Sequence, residues 1–252
     1  MSTGTAGRSW RDGASKDEMR EIDRRAEQEY GLTPFLLMEV AGLAVARVAR
    51  RLVEETTRGG RVAVLTGPGN NGGDGMVAAR RLSAWGTQLE VITSYPLEDA
   101  KGLSRTQLEI LEALGLDVHP WDGTLPSADL LVDALLGFGS SGEPRGWVAE
   151  MIDSANQSGL PILSVDVPSG LDCDSGEPAA VSVRARATVT LALPKIGMLV
   201  DEAQPYLGDL YLADIGVPPQ LLAEIGIDGD GLFADDDIMA LEEEDVAEVD
   251  LR

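Results

Sequence analysis

The chain has 252 residues, 44% of them hydrophobic, enough for one sizeable α/β domain and little for two. Its 43 acidic residues against 20 basic ones leave a net charge of −23, a field that repels nucleic acid and anionic membranes and argues against both as partners. No apolar run approaches the roughly 18 residues of a membrane span, and residues 1–17 (MSTGTAGRSWRDGASKD) lack the apolar core of a signal peptide, so a cytoplasmic protein is expected. The lone cysteine, Cys173, leaves no internal disulfide. The lone histidine, His119, sits in a loop-like stretch (DVHPWDG), a poor basis for a zinc site or a His-dependent nucleophile. Two readings of the excess acid are open: a solvated surface that aids solubility, or adaptation to a salt-rich, halophilic cytoplasm, where scarce lysine (Lys16, Lys101, Lys195) and dense carboxylate keep the surface hydrated.

In chain order, residues 1–14 are polar and aperiodic and are expected to form a disordered tail. Ser15-Lys16-Asp17-Glu18 has capping-box spacing, Met19, Ile22 and Ala26 share one helical face, and Gly31 closes that helix. A second helix starts at Thr33-Pro34, carries Leu37, Val40, Ala41, Ala44 and Val48 inward, and ends near Arg51. Strands are predicted over residues 62–66, 89–93, 130–134, 162–165, 187–193 and 209–213, with helices over 74–86, 104–114 and 146–158 closed by Gly86, Gly115 and Gly159. This alternation predicts a Rossmann-like three-layer αβα sandwich with a mainly parallel sheet, spanning residues 15–233. Residues 234–252 carry nine acidic residues and read as an acidic C-terminal tail.

Ligands of open α/β sheets bind beyond the carboxyl ends of the strands, and three of these ends are unusual. The first runs into Gly67-Pro68-Gly69-Asn70-Asn71-Gly72-Gly73-Asp74-Gly75, five glycines in nine positions opening a helix. Glycines allow close approach of a ligand to backbone, and a helix N-terminus offers free N–H groups. The loop matches neither GxGxxG nor a Walker loop, and its paired asparagines add carbonyl oxygens that suit a cation or a sugar hydroxyl. Asp133 stands inside an apolar strand, where a carboxylate must be hydrogen-bonded, paired or coordinating. Capping of nearby N–H groups is the simpler alternative. The loop after it, Gly137-Phe138-Gly139-Ser140-Ser141-Gly142-Glu143, could wrap a pyrophosphate with backbone donors. Asp166 follows another apolar strand and precedes Val167-Pro168-Ser169-Gly170. Asn71, Asp133, Asp166 and Ser169 are thus expected in one crevice, an all-oxygen set that suits a hard cation beside a reactive carboxylate.

GPGNNGGDG, VDALLGFG and SVDVPSGLDCDSG, in this order, resemble the NAD(P)H-hydrate epimerase family, with supporting matches in EMREIDRRAEQEYGLTPFLLMEVAG and TLALPKIGM. The resemblance implies interconversion of the R and S epimers of hydrated NADH or NADPH, a bound K⁺ and a homodimer. By motif, Asn70, Asn71, Gly72, Gly73 and Asp74 would contact the hydrated nucleotide. Gly137, Phe138, Gly139, Ser140, Ser141, Gly142 and Glu143 would hold its phosphates, and Asp166 would face the damaged ring as general acid and base. Asn71, Asp133 and Ser169 would ligate K⁺. The chain departs from the family at Val40, where LMEVAG stands for the usual LMENAG. Lys195, in the recurring Pro-Lys pair, has two open readings, phosphate binding or a structural salt bridge. The family's fused dehydratase domain is absent from the sequence, so a separate NAD(P)H-hydrate dehydratase would complete the repair. Two other classes stay open: a catalytically silent nucleotide-binding or protein-interaction module, and a dehydrogenase, which the missing GxGxxG fingerprint disfavours.

Overall fold

The structure, a computed structural model, describes residues 7–56 and 60–241. Strand β1 (Arg8–Ser9) leads into helices α1 (Lys16–Tyr30) and α2 (Pro34–Thr56). Then follow β2 (Arg61–Thr66), α3 (Asn70–Ala84), β3 (Gln88–Thr93), α4 (Gly102–Ala113), β4 (Val118–Pro120), β5 (Leu130–Ala134), α5 (Trp147–Ser158), β6 (Ile162–Val165) and β7 (Ala187–Leu191). The chain continues through α6 (Gln204–Leu207), β8 (Asp209–Ala213), α7 (Pro219–Glu224), β9 (Ile227–Asp228) and β10 (Ile238–Leu241).

The main sheet has the order β10-β8-β7-β6-β5-β2-β3-β4, parallel throughout except for the antiparallel edge strand β10. Both faces are covered, as a parallel sheet requires. Along β2, Val62 and Val64 join the core under α1–α4, while Ala63 and Leu65 join Met151, Ile152 and Ala155 of α5 on the other face. The expected three-layer architecture is therefore the observed one. From β2 the chain winds outward through β3 and β4, and from β5 it winds the opposite way through β6, β7 and β8. The boundary between β2 and β5 is the point where the winding reverses, and a crevice opens there at the carboxyl ends of the strands.

Local chemistry explains most element ends. The Ser15 hydroxyl accepts the Glu18 N–H and Glu18 takes the Ser15 N–H at 2.8 Å, the reciprocal box expected at the start of α1, and Gly31 closes it in the left-handed conformation (φ 70°). Helix α3 starts at Asn70, four residues before the predicted start, because its glycines let it press onto its neighbours. A Cβ on Gly72 would lie 1.9 Å from the Gly67 carbonyl oxygen, on Gly73 2.4 Å from Met38 Cε, and on Gly75 2.5 Å from Ala134 Cβ. Within that motif, close packing of protein on protein is the first task of these glycines.

Several expectations are corrected. Residues 7–14 are not a disordered tail: β1 pairs with β9, Trp10 and Ala14 are buried, and Ala14 exchanges backbone hydrogen bonds with Pro194 and Ile196. Two apolar anchors in a polar stretch suffice where the backbone also finds partners. Residues 1–6 lie outside the described residues. Residues 238–241 are not tail, since β10 pairs with Leu210–Ala213 of β8 and an edge strand needs only sparse apolar contact; residues 242–252 lie outside the described residues. Val40 points outward at 42% exposure, beside Leu36, because the buried arc of α2 is centred on Ala41 and Val45. His119 belongs to strand β4 and approaches Glu90, so it is not in a loop. Strand β7 ends at Leu191, two residues early, where Ala192 turns left-handed (φ 64°). Among the described residues, no helix is long and apolar enough to cross a membrane.

Candidate functional site

A cavity of about 570 Å³ occupies the crevice at the β2–β5 boundary, within the range of small-molecule sites. Its walls come from four places. Helix α1 contributes Met19, Asp23, Arg24 and Glu27, and α2 contributes Pro34, Leu37, Met38 and Ala41. The loop into α3 adds Pro68 and Gly69, the start of α3 adds Asn70, Asn71 and Asp74, and the loop after β5 adds residues 135–140. Asp166 and Leu191 close the floor at the ends of β6 and β7.

Asp166 is held on every side. It is one of only two non-glycine residues with positive φ among the described residues (φ 66°), a backbone state that costs about 1–3 kcal/mol and persists only where the surroundings enforce it. Its N–H donates to the Val189 carbonyl at 2.7 Å, and its Oδ2 accepts the Phe138 N–H at 3.0 Å. Its Oδ1 accepts a short hydrogen bond from the ammonium of Lys195, a side chain with no solvent exposure. Lys195 Nζ also donates to Thr190 Oγ1 and the Leu191 carbonyl, both at 3.0 Å. Of the two readings of Lys195, the structure gives the salt bridge, and the carboxylate it pairs with is the expected reactive one.

Of the three further carboxylates that line the cavity, Glu27 is exposed and the other two are more enclosed. Asp74, in the first turns of α3, is 8% exposed and has no hydrogen-bond partner among the described residues. Burial pushes its carboxyl well above the usual carboxylate range, the charges of Asp166 and Asp23 act the same way, and Lys195 opposes them. Asp23, half-buried on α1, is pushed up to about 6, first by burial and then by the charge of Asp166, against the pull of Lys195. Sequence reasoning passed over Asp23. The only signal was its spacing, four residues after Met19 and beside Ile22 on the apolar face of α1.

Asp133 is sealed beneath the cavity. Its Oδ2 accepts from Ser164 Oγ at 2.8 Å and the Ser169 N–H at 2.9 Å, and its Oδ1 accepts from Ser169 Oγ at 2.6 Å and the Leu135 N–H at 3.3 Å. Burial raises its proton affinity, and these hydrogen bonds act against it. Ser169 Oγ accepts the Leu136 N–H at 2.9 Å, and Asn71 Nδ2 donates to the Leu136 carbonyl at 3.0 Å. The Asn71, Ser169 and Asp133 set is thus one connected group around Leu136, in which Asp133 has only neutral partners.

Of the expected nucleotide contacts, Asn70, Asn71, Asp74, Gly137, Phe138, Gly139, Ser140 and Asp166 line this cavity. Gly72 and Gly73 do not, because their Cα faces meet the Gly67 carbonyl and Met38. Ser141, Gly142 and Glu143 line a neighbouring cavity of about 300 Å³, which shares Leu136, Gly137 and Ser140 with the first. Lys16 Nζ donates to the Ser140 carbonyl, tying the start of α1 to the 137–143 loop. Val40 is absent from the lining, so the departure from the family's asparagine leaves the cavity wall unchanged.

Residues 35–197 match the family described as YjeF-related protein N-terminus. The chain belongs to this family. An NAD(P)H-hydrate epimerase from Dehalogenimonas lykanthroporepellens is 42% identical over 214 residues, 83% of this chain and 84% of that protein. One from Rhodopirellula baltica is 35% identical over 83% of this chain and 86% of its own length. The bifunctional NAD(P)H-hydrate repair enzyme Nnr of Moorella thermoacetica is 38% identical over 215 residues, and the aligned part spans 41% of that longer protein. The crystal structure of yeast ynu0, YNL200c superposes with a TM-score of 0.77 at 28% identity, covering 91% of this chain and 99% of that one. The YjeF-related family therefore accounts for the sheet, the switch-point crevice and the two Gly-rich loops together.

Proposed function

We infer that this chain is an isomerase that interconverts the R and S epimers of hydrated NADH and NADPH. One observation carries the reading: in a chain that matches named epimerases over most of their length, the Asp166 carboxylate is fixed by Lys195 at the floor of the switch-point cavity. The hydrated nicotinamide carries a hydroxyl on C6 beside the ring nitrogen. An aspartic acid can protonate that hydroxyl as it leaves, and the carboxylate then stabilises the iminium cation left on the ring. Water returning to C6 gives its proton to a carboxylate. Asn70, Asn71 and Asp74 would orient the ring end of the nucleotide. The backbone N–H groups of residues 137–143 would receive its phosphates.

We propose that a potassium ion binds beside Asn71, Ser169 and Asp133. With Asn71 Nδ2 engaged by the Leu136 carbonyl, the atoms left to ligate a cation are oxygens, and Asp133 is a buried carboxylate with no cationic partner in its hydrogen-bond shell. When bound, the ion would supply positive charge to a pocket dominated by carboxylates. We further assign a homodimer in the cytoplasm and an NAD(P)H-hydrate dehydratase activity as the next step. A silent binding module is not favoured, because a strained Asp166 backbone and a buried ion pair stand at the cavity.

The test is chiral chromatography of R-hydrated NADPH mixed with the protein. Wild type should equilibrate the epimers faster than the spontaneous background. Asp166→Asn keeps a residue that tolerates positive φ and can accept from Lys195. It should fold with reduced stability, bind NADP⁺ as wild type does, and lose about 10²–10⁴-fold in turnover. Near-wild-type turnover by this variant would assign the acid–base role elsewhere.

A further inference from the structure

Epimerisation at C6 poses a stereochemical problem that one fixed carboxylate does not solve. The hydroxyl leaves one face of the ring and water returns to the other, so protons must be handled on both faces. Asp166 is fixed by its left-handed backbone, the Phe138 N–H and the Lys195 ammonium, so it serves one face only.

The cavity holds a second carboxyl on a different wall. Asp23 projects from α1, while Asp166 closes the floor at the end of β6. The wall that carries Asp23 is anchored. Ser15 and Glu18 cap α1, Lys16 holds the Ser140 carbonyl, and Ala14 is hydrogen-bonded to the segment that carries Lys195. Asp23 itself has no hydrogen-bond partner among the described residues, so its oxygens are left for what enters the cavity. The charged groups around it are Arg24 and Glu27 on its own helix, Asp74 on α3, Asp166 after β6 and Lys195 after β7. Arg24 is engaged by Glu21 in a salt bridge at 2.7 Å, which leaves Lys195 as the cation acting on Asp23.

We propose that Asp23 is the second acid–base residue of the epimerase, acting on the face of the nicotinamide ring opposite Asp166. The proposal rests on the epimerase reading above. In one direction the Asp23 carboxyl gives its proton to the C6 hydroxyl. The C6–O bond breaks, water departs, and the ring nitrogen's electron pair forms the N1=C6 iminium bond. Water on the far face then forms the new C6–O bond and gives its proton to the Asp166 carboxylate, while the pair returns to nitrogen. In the other direction the two carboxyls exchange roles. Asp74 is the less suitable partner: it is more deeply buried than Asp23, and burial and two neighbouring carboxylates favour its protonated form. Asp23, being half-buried and pushed up to about 6, can both hold a proton and exchange it with solvent.

The experiment measures epimerisation in both directions from pH 5 to 9 for wild type, Asp23→Asn and Asp23→Glu, with NADP⁺ binding and thermal melts alongside. For the epimer whose hydroxyl faces Asp23, wild-type kcat/KM should fall as pH rises through about 6. Asp23→Asn should bind NADP⁺ normally, lose about 10²-fold or more in kcat in both directions, and lack that limb. Asp23→Glu should restore part of the rate and the limb. Turnover by Asp23→Asn near wild type, or a lost rate with an unchanged profile and no rescue by Glu, overturns the proposal. If Asp23→Asn fails to fold, a wild-type profile with no ionisation near 6 overturns it instead. Absence of epimerisation by wild type refutes the underlying functional reading, and the proposal falls with it.

Discussion

Replacing Lys195 by methionine isolates the interaction on which the site is built. The ammonium is wholly buried, the Asp166 side chain is 5% exposed, and the substitution keeps length and apolar bulk while removing the charge. It leaves three acceptors without their donor: Asp166 Oδ1, Thr190 Oγ1 and the Leu191 carbonyl. Breaking a buried ion pair from one side costs about 3–5 kcal/mol, because the remaining charge stays desolvated. In a domain of this size each kcal/mol moves the melting midpoint by about 2–4 °C, so Lys195→Met should melt about 6–20 °C below wild type. Urea melts at neutral pH measure this directly. The double variant Asp166→Asn/Lys195→Met should be more stable than the sum of the single effects predicts, because removing both partners leaves no orphaned charge. A single variant within about 1 kcal/mol of wild type at neutral pH, or strict additivity in the cycle, would refute this account of the pair.

The glycine contacts give an internal comparison in the first motif. Gly72→Ala places a Cβ against the Gly67 carbonyl, which as backbone has nowhere to move, and should destabilise by about 3 kcal/mol or more, whereas Gly69→Ala enters open space and should stay within about 1 kcal/mol of wild type in urea melts. The charge of −23 predicts a melting midpoint that rises from dilute buffer to molar KCl, through screening of self-repulsion and filling of the cation site, and a flat or falling midpoint would leave only the solvated-surface reading of the acidic excess.

The fold was legible wherever a physical signal lies within a few residues. Strands β5, β6 and β8 have the predicted bounds because short apolar runs between turn residues leave few other conformations. Gly31 and Gly159 end their helices in the left-handed state for which glycine is suited. Errors gather where long-range packing overrides local pattern. The first turn of α3 has no apolar residue to mark it and is held by Gly67, Met38 and Ala134, drawn from three other elements. Ala14 and strand β1, which flank Trp10, find their backbone partners at residues 194–196 and 226–228, which no local window contains.

The candidate site divides along the same line. Asp166 and Asp133 were conspicuous because a carboxylate at the end of an apolar strand needs a physical reason, and both have one: an ion pair for Asp166, and a shell of serine and backbone donors for Asp133. Lys195 lies 29 positions from Asp166, and only the parallel pairing of β6 with β7 brings their strand ends together. Asp23 was harder still, since an acid on an amphipathic helix is ordinary in sequence. It gains its raised proton affinity only when α1 closes over a cavity already charged by Asp166. A motif thus identifies the carboxylate that needs a partner, while the topology decides what surrounds it. In this chain the sheet order determines which acids meet, and those meetings set their chemistry.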